Sequence, residues 1–138
     1  MQKIISTTEK ETRDTAVRIA LGLSGGSVIA LEGDLGVGKT VFAKGVADAL
    51  GVEEEITSPT FVLLRSYRGD SMVLHHIDAY RLGGSEEAYE AGLDEVIGAS
   101  GAITLIEWPS IVSELVPKGA VRVEITRIDD ETREITVR

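Results

Sequence analysis

The chain has 138 residues, 43% hydrophobic and 27% charged, which are globular values with enough length to bury one core. No apolar run nears the roughly 20 residues that cross a bilayer, and the absence of cysteine excludes disulfides, thiolate metal sites and thiol catalysis. A formal net charge of -9 argues against a direct grip on a nucleic-acid backbone, because phosphates are held mainly by clustered Lys and Arg. These bounds predict a single cytoplasmic domain, away from membranes, whose acidic surface serves solubility or a basic protein partner.

Residues 1–6 read as a short strand. Ser6 and Glu9 have the spacing of a capping box, opening a helix that reaches residue 23 with Ala16, Val17, Ile19, Ala20 and Leu23 along one face. Gly22, Gly25 and Gly26 end it before a strand at residues 27–32, whose core Val28-Ile29-Ala30-Leu31 is apolar enough to be buried. Next comes Gly33-Asp34-Leu35-Gly36-Val37-Gly38-Lys39-Thr40, which matches G-x-x-x-x-G-K-[ST] at every fixed position. A strand before it and a helix from Thr40 to Leu50 after it, closed by Gly51, are the context that motif requires.

Each fixed position has a chemical task. The glycines free the strand end to wrap a polyphosphate, so that backbone N–H groups of Gly33, Asp34, Gly36, Val37 and Gly38 and the positive helix N-terminus face the charge. Lys39 reaches the β- and γ-phosphates, and the Thr40 hydroxyl ligates Mg²⁺. The expected cofactors are therefore ATP and Mg²⁺. GTP is disfavoured because no N-K-x-D string is present, and the D-x-x-G string of residues 48–51 lies at a helix end.

Residues 53–58 are polar, and Pro59 blocks a helix before a strand at residues 61–67. Arg68-Gly69-Asp70-Ser71 is a turn into a second strand at residues 72–78, so the pair forms an antiparallel hairpin. The loop Thr57-Ser58-Pro59-Thr60 is either a nucleotide-sensing switch or an ordinary Ser-Pro turn. Residues 85–96 have helical spacing with a break available at Gly92, residues 102–108 are a third apolar strand, and residues 110–116 a short helix between Pro109 and Pro117. Strands at residues 121–128 and 134–137 bracket the turn Asp129-Asp130-Glu131-Thr132. The sum is an α/β, P-loop NTPase-like fold: a mainly parallel central sheet with antiparallel hairpin additions, flanked by helices.

Two apolar strands end in acids. Glu107 closes the cleaner run, Ala102-Ile103-Thr104-Leu105-Ile106, and a carboxylate at that strand end lies in the crevice where α/β folds bind ligands, making it the first Mg²⁺ candidate. Asp78 is the rival, able to hold a metal-bound water or orient a nucleophile. His75-His76 invites a transition-metal reading, but adjacent strand residues point to opposite faces, so only His76 shares a face with Asp78 and the ligands are too few. Trp108, the only tryptophan, belongs to the core or to an interface.

These strings in this order resemble the TsaE (YjeE) family of small bacterial ATPases in tRNA threonylcarbamoyladenosine biosynthesis. The resemblance rests on the phosphate loop, Thr57-Ser58-Pro59-Thr60-Phe61, His76-Ile77-Asp78-Ala79-Tyr80-Arg81-Leu82 and Leu105-Ile106-Glu107-Trp108, and spans nearly the whole chain. It implies ATP binding, slow hydrolysis and assembly with TsaB and TsaD, with tRNA reached only through those partners. It further implies that Thr40 and Glu107 hold Mg²⁺, that Asp78 is needed for activity, that Thr60 lies in the switch-like loop, and that Glu9, Thr12 and Arg133 lie near the nucleotide. Two positions depart from the family pattern. Val41 stands where a second Thr is usual, losing a hydroxyl toward the α-phosphate while keeping the backbone N–H, and Ala79 stands where Leu is usual. The rival readings are a small-molecule kinase, which needs an acceptor pocket and an Arg-rich lid for which there is little spare chain, and a module that uses ATP only to dock.

Overall fold

The computed structural model describes residues 1–57 and 63–138. Ser58, Pro59 and Thr60 of the switch-like loop, and Phe61 and Val62 of the strand expected at residues 61–67, lie outside the described residues. Seven strands form one sheet in the order β1-β7-β6-β2-β5-β4-β3. They are β1 Gln2–Ser6, β2 Val28–Glu32, β3 Leu64–Arg68, β4 Val73–Asp78, β5 Ala102–Glu107, β6 Val121–Arg127 and β7 Arg133–Val137. The middle of the sheet, β6-β2-β5-β4, is parallel, and the two hairpins β3-β4 and β6-β7 add antiparallel pairs at its margins, as their turn residues require. β1 completes one edge antiparallel to β7.

The burial of each strand follows from its place. All six residues of β5 are buried, because a central parallel strand is covered on both faces and so reads as a continuous apolar run. Alternate residues feed two cores. Ile29, Leu31, Leu74, Ile103 and Leu105 pack against helices α1 (Glu9–Leu21) and α2 (Lys39–Leu50). Val28, Ala30, Ile77 and Ile106 pack on the opposite face against α3 (Ser85–Glu90), α4 (Leu93–Val96) and the 3₁₀ segment Pro109–Leu115. The structure divides the single helix expected at residues 85–96 into two, parted at Gly92, whose φ of 80° is a left-handed conformation that glycine adopts without strain and that interrupts a helix. No described helix is long and apolar enough to cross a membrane.

The capping box expected at Ser6 is displaced. Thr8 is the N-cap of α1, its hydroxyl accepting the Glu11 N–H at 3.0 Å, while Glu11 reaches back to Thr7. Ser6 instead belongs to β1, where its hydroxyl donates to the Thr8 carbonyl and meets the Thr12 hydroxyl at 2.7 Å. The physical reason is the β1–β7 ladder, which holds Ser6 opposite Arg133 in extended geometry and leaves the next hydroxyl-bearing residues to cap.

Candidate functional site

The parallel strands β2, β5 and β4 deliver three groups to one end of the sheet. β2 runs straight into the phosphate loop, β5 ends in Glu107 and β4 ends in Asp78. The register pairs Asp78 with Glu107 and Glu107 with Leu31, two residues before the loop begins, so both acids stand level with its entrance.

The loop holds its shape through particular atoms. A side chain at Gly33 would strike Val37 Cγ1 at 2.8 Å and the Ile125 carbonyl at 3.0 Å, so only glycine lets the loop leave β2 beneath the buried Val37. Gly36 and Gly38 have φ of 75° and 116°, turning the chain so that it enters α2 directly. The Val37 N–H donates to the Asp34 carbonyl, and from β7, two strands away from β2, Arg133 donates through Nε to the Val37 carbonyl at 2.9 Å. Arg133 therefore touches the loop itself. Asp34 and Gly36 are exposed, whereas Thr40 and Val41 at the start of α2 are half-buried.

Lys39 carries the electrostatic centre of the site. It is 6% exposed, and its Nζ has no hydrogen-bond partner, an arrangement that is costly for an ammonium. Its neighbours are Glu107 Oε1 at 3.9 Å and the Trp108 ring, whose centroid is 3.9 Å from Nζ. Burial holds the Lys39 ammonium below its ordinary range, and the charges of Glu107, Asp78, Glu32 and Asp34 oppose that shift. Trp108 reaches the lysine because its backbone is left-handed, φ 59°, which turns the chain sharply after Glu107 and brings its ring against Tyr80 with centroids 4.9 Å apart. Such a conformation at a bulky residue stores strain of about 1–3 kcal/mol and persists only where packing imposes it. Trp108 is thus part of the site wall.

The two acids differ in environment. Glu107 is buried, with Oε2 2.5 Å from Nε2 of the fully buried His76. Asp78 accepts the Tyr80 N–H at 3.0 Å, and burial pushes its carboxyl above the usual range against the effect of that bond. His75 lies on the other face with Nδ1 2.7 Å from the Ser66 hydroxyl, and burial lowers it. Among the described residues no cluster of three or more His, Cys, Asp or Glu could hold a metal by itself. The donor set suits Mg²⁺, which takes one or two protein oxygens and completes its shell with phosphates and water. The Lys39 ammonium, without a hydrogen-bond partner beside a glycine cradle, suits an anionic polyphosphate.

The remaining expected residues are less central. Glu9 is exposed on the first turn of α1, and Thr12 is buried with its hydroxyl engaged by Ser6. No hydrogen bond or ion pair ties either to the loop among the described residues. Thr60 is not described. The His76–Glu107 contact, the lysine–tryptophan contact and the Tyr80 stack were not read from the sequence; parity placed His76 beside Asp78, but its partner depends on the β4–β5 register.

A glycine loop joining a central parallel strand to a helix, with acids at the neighbouring strand ends, defines a P-loop NTPase-like protein. Known proteins narrow the class. The family described as "Threonylcarbamoyl adenosine biosynthesis protein TsaE" matches residues 6–135. Proteins named tRNA threonylcarbamoyladenosine biosynthesis protein TsaE are similar to this chain: that of Bacillus subtilis is 39% identical over 92% of this chain and 78% of its own length. That of Rickettsia bellii is 40% identical over 94% and 89%, and that of Treponema pallidum 38% identical over 98% of both. The crystal structure of Bacillus subtilis YdiB has the same fold, with a TM-score of 0.80 at 36% identity, covering 99% of this chain and 83% of that one. The chain belongs to the TsaE family.

Proposed function

We propose that the protein binds ATP with Mg²⁺, hydrolyses it slowly, and thereby serves tRNA threonylcarbamoyladenosine formation together with TsaB and TsaD. The observation that carries the reading is Lys39: a buried ammonium without a hydrogen-bond partner, at the head of a phosphate loop and 3.9 Å from Glu107. In this reading Lys39 leaves Trp108 and Glu107 to meet the β- and γ-phosphates, while N–H groups of residues 33–38 and of Val41 surround the chain of phosphates. Thr40 and Glu107 hold Mg²⁺, whose charge offsets that of the transferring phosphoryl group. Asp78, on the same face and level with Glu107, orients the attacking water, and Arg133 braces the loop.

The link to tRNA modification rests on family membership and on the names of the relatives. The net charge of -9 supports partner proteins, rather than this chain, as the tRNA-binding element. The test is tRNA threonylcarbamoylation reconstituted from TsaB, TsaD and this chain, with ATP binding followed by calorimetry. Modification should require the chain, and Lys39→Ala should weaken ATP binding roughly 100-fold, the equivalent of about 2.7 kcal/mol for a lost charge-assisted contact. Unchanged ATP affinity in that variant would refute the nucleotide site, and equal modification without the chain would refute the pathway role.

A further inference from the structure

We propose that His76 is a positioning residue that commits one oxygen of Glu107 and leaves the other for a divalent cation. The proposal rests on the Mg²⁺-ATP reading and deepens it. His76 has no solvent exposure, its Nε2 lies 2.5 Å from Glu107 Oε2, and its Nδ1 is buried without any hydrogen-bond partner. An ionised carboxylate only accepts hydrogen bonds, so the contact requires a proton on Nε2. Nδ1 meets no partner, so Nε2 is the ring nitrogen through which His76 engages a neighbouring side chain among the described residues.

The other oxygen has a different fate. Glu107 Oε1 faces the Lys39 ammonium at 3.9 Å, a contact that ends when the lysine turns to phosphate. Oε2 stays bound to His76, because that ring sits within β4, one same-face step before the Asp78–Glu107 pair, and is packed from every side. The carboxylate is therefore held against rotation when its cationic neighbour leaves, and Oε1 is the oxygen presented to the cation. Hydrogen bonds to the far side of a metal ligand typically alter metal affinity about 10- to 100-fold.

Mn²⁺ is the probe. Its binding to protein loaded with a non-hydrolysable ATP analogue is read by electron paramagnetic resonance, and analogue binding alone is measured in EDTA. His76→Leu should weaken Mn²⁺ binding about tenfold or more with analogue affinity in EDTA unchanged. His76→Gln, whose amide nitrogen extends as far as Nε2, should recover most of the loss. Wild-type Mn²⁺ affinity in His76→Leu overturns the proposal, as does a parallel fall in metal-free analogue affinity that Gln fails to restore. Should His76→Leu fail to fold by circular dichroism, Gln is compared with the shorter Asn: retention by Gln and loss in Asn supports the role, and equal affinities overturn it. Absence of nucleotide-dependent Mn²⁺ binding in the wild type would instead remove the Mg²⁺-ATP reading and this proposal with it.

Discussion

At the scale of single residues, opposite pKa shifts mark the two sides of the site. Burial lowers Lys39 and raises Asp78, so each group is held away from its charged form by desolvation; the surrounding acids offset this only in part at Lys39, and at Asp78 the Tyr80 N–H and the Lys39 charge oppose it while the Glu107 charge adds to it. For Asp78 the consequence for stability has a definite sign. A carboxyl whose folded pKa lies above its unfolded value loses stability as pH rises toward that folded value, and the deficit persists at neutral pH. Asp78→Asn removes the ionisation and keeps an oxygen for the Tyr80 N–H. The variant should melt at higher temperature than the parent at neutral pH, with the gap shrinking toward about pH 4, while nucleotide turnover falls. A Tm difference that does not change with pH would contradict this account. Lys39, Asp78 and Glu107 were legible in the sequence because each sits at a fixed offset from a strand or motif. Their relation to His76 was not, because same-strand parity says nothing about which strand lies alongside or in what register.

At the scale of elements, α1 and α2 cross with their backbones in close approach. A side chain at Gly45 would collide with the Arg13 carbonyl and approach Ala16 Cβ to 2.6 Å, and beside this contact Arg13 grips Asp48 with Nε to Oδ2 at 2.5 Å and Nη2 to Oδ1 at 2.8 Å. Two effects compete in Gly45→Ala. Helix propensity favours Ala by about 1 kcal/mol, whereas overpacking a tight interface costs about 1–3 kcal/mol. The obstacle is backbone rather than a flexible side-chain end, so overpacking should win, and a lower urea midpoint at unchanged m value is the expected result. A midpoint equal to or above the parent's would show that the helices separate freely. Sequence pattern located α2 and both hairpins, since apolar runs, Gly and Pro punctuate them plainly. It misplaced the first cap because Ser6, Thr7 and Thr8 offer three adjacent hydroxyls, and only the pairing of β1 with β7 decides which is free to cap.

Across the whole molecule, the sheet order brings the last strand to the motif that lies about a hundred residues earlier. β7 pairs with β6, β6 pairs with β2, and β2 opens into the phosphate loop, so Arg133 at the start of β7 lies within reach of Val37. Its Nε donates to the Val37 carbonyl at 2.9 Å while Nη1 donates to the carbonyls of Asp129 at 2.9 Å and Thr132 at 3.2 Å, clamping the closing hairpin to the loop. The sequence could assign Arg133 to that hairpin, but its loop contact is a product of strand order, which local periodicity does not encode. Charge and clamping make separable claims about its part in nucleotide binding. If a nearby positive charge is what matters, Arg133→Lys should retain affinity, since lysine keeps that charge. If the clamp matters, lysine should fail nearly as badly as methionine, because one ammonium cannot occupy the Nε and Nη1 positions together. The simultaneous bonds favour the clamp: both variants should lose roughly tenfold in ATP affinity by calorimetry, as expected for about 1.4 kcal/mol of lost loop organisation, and the Val37 amide should exchange hydrogen faster in both. Wild-type affinity in Arg133→Lys beside a clear loss in Arg133→Met would assign the effect to charge instead.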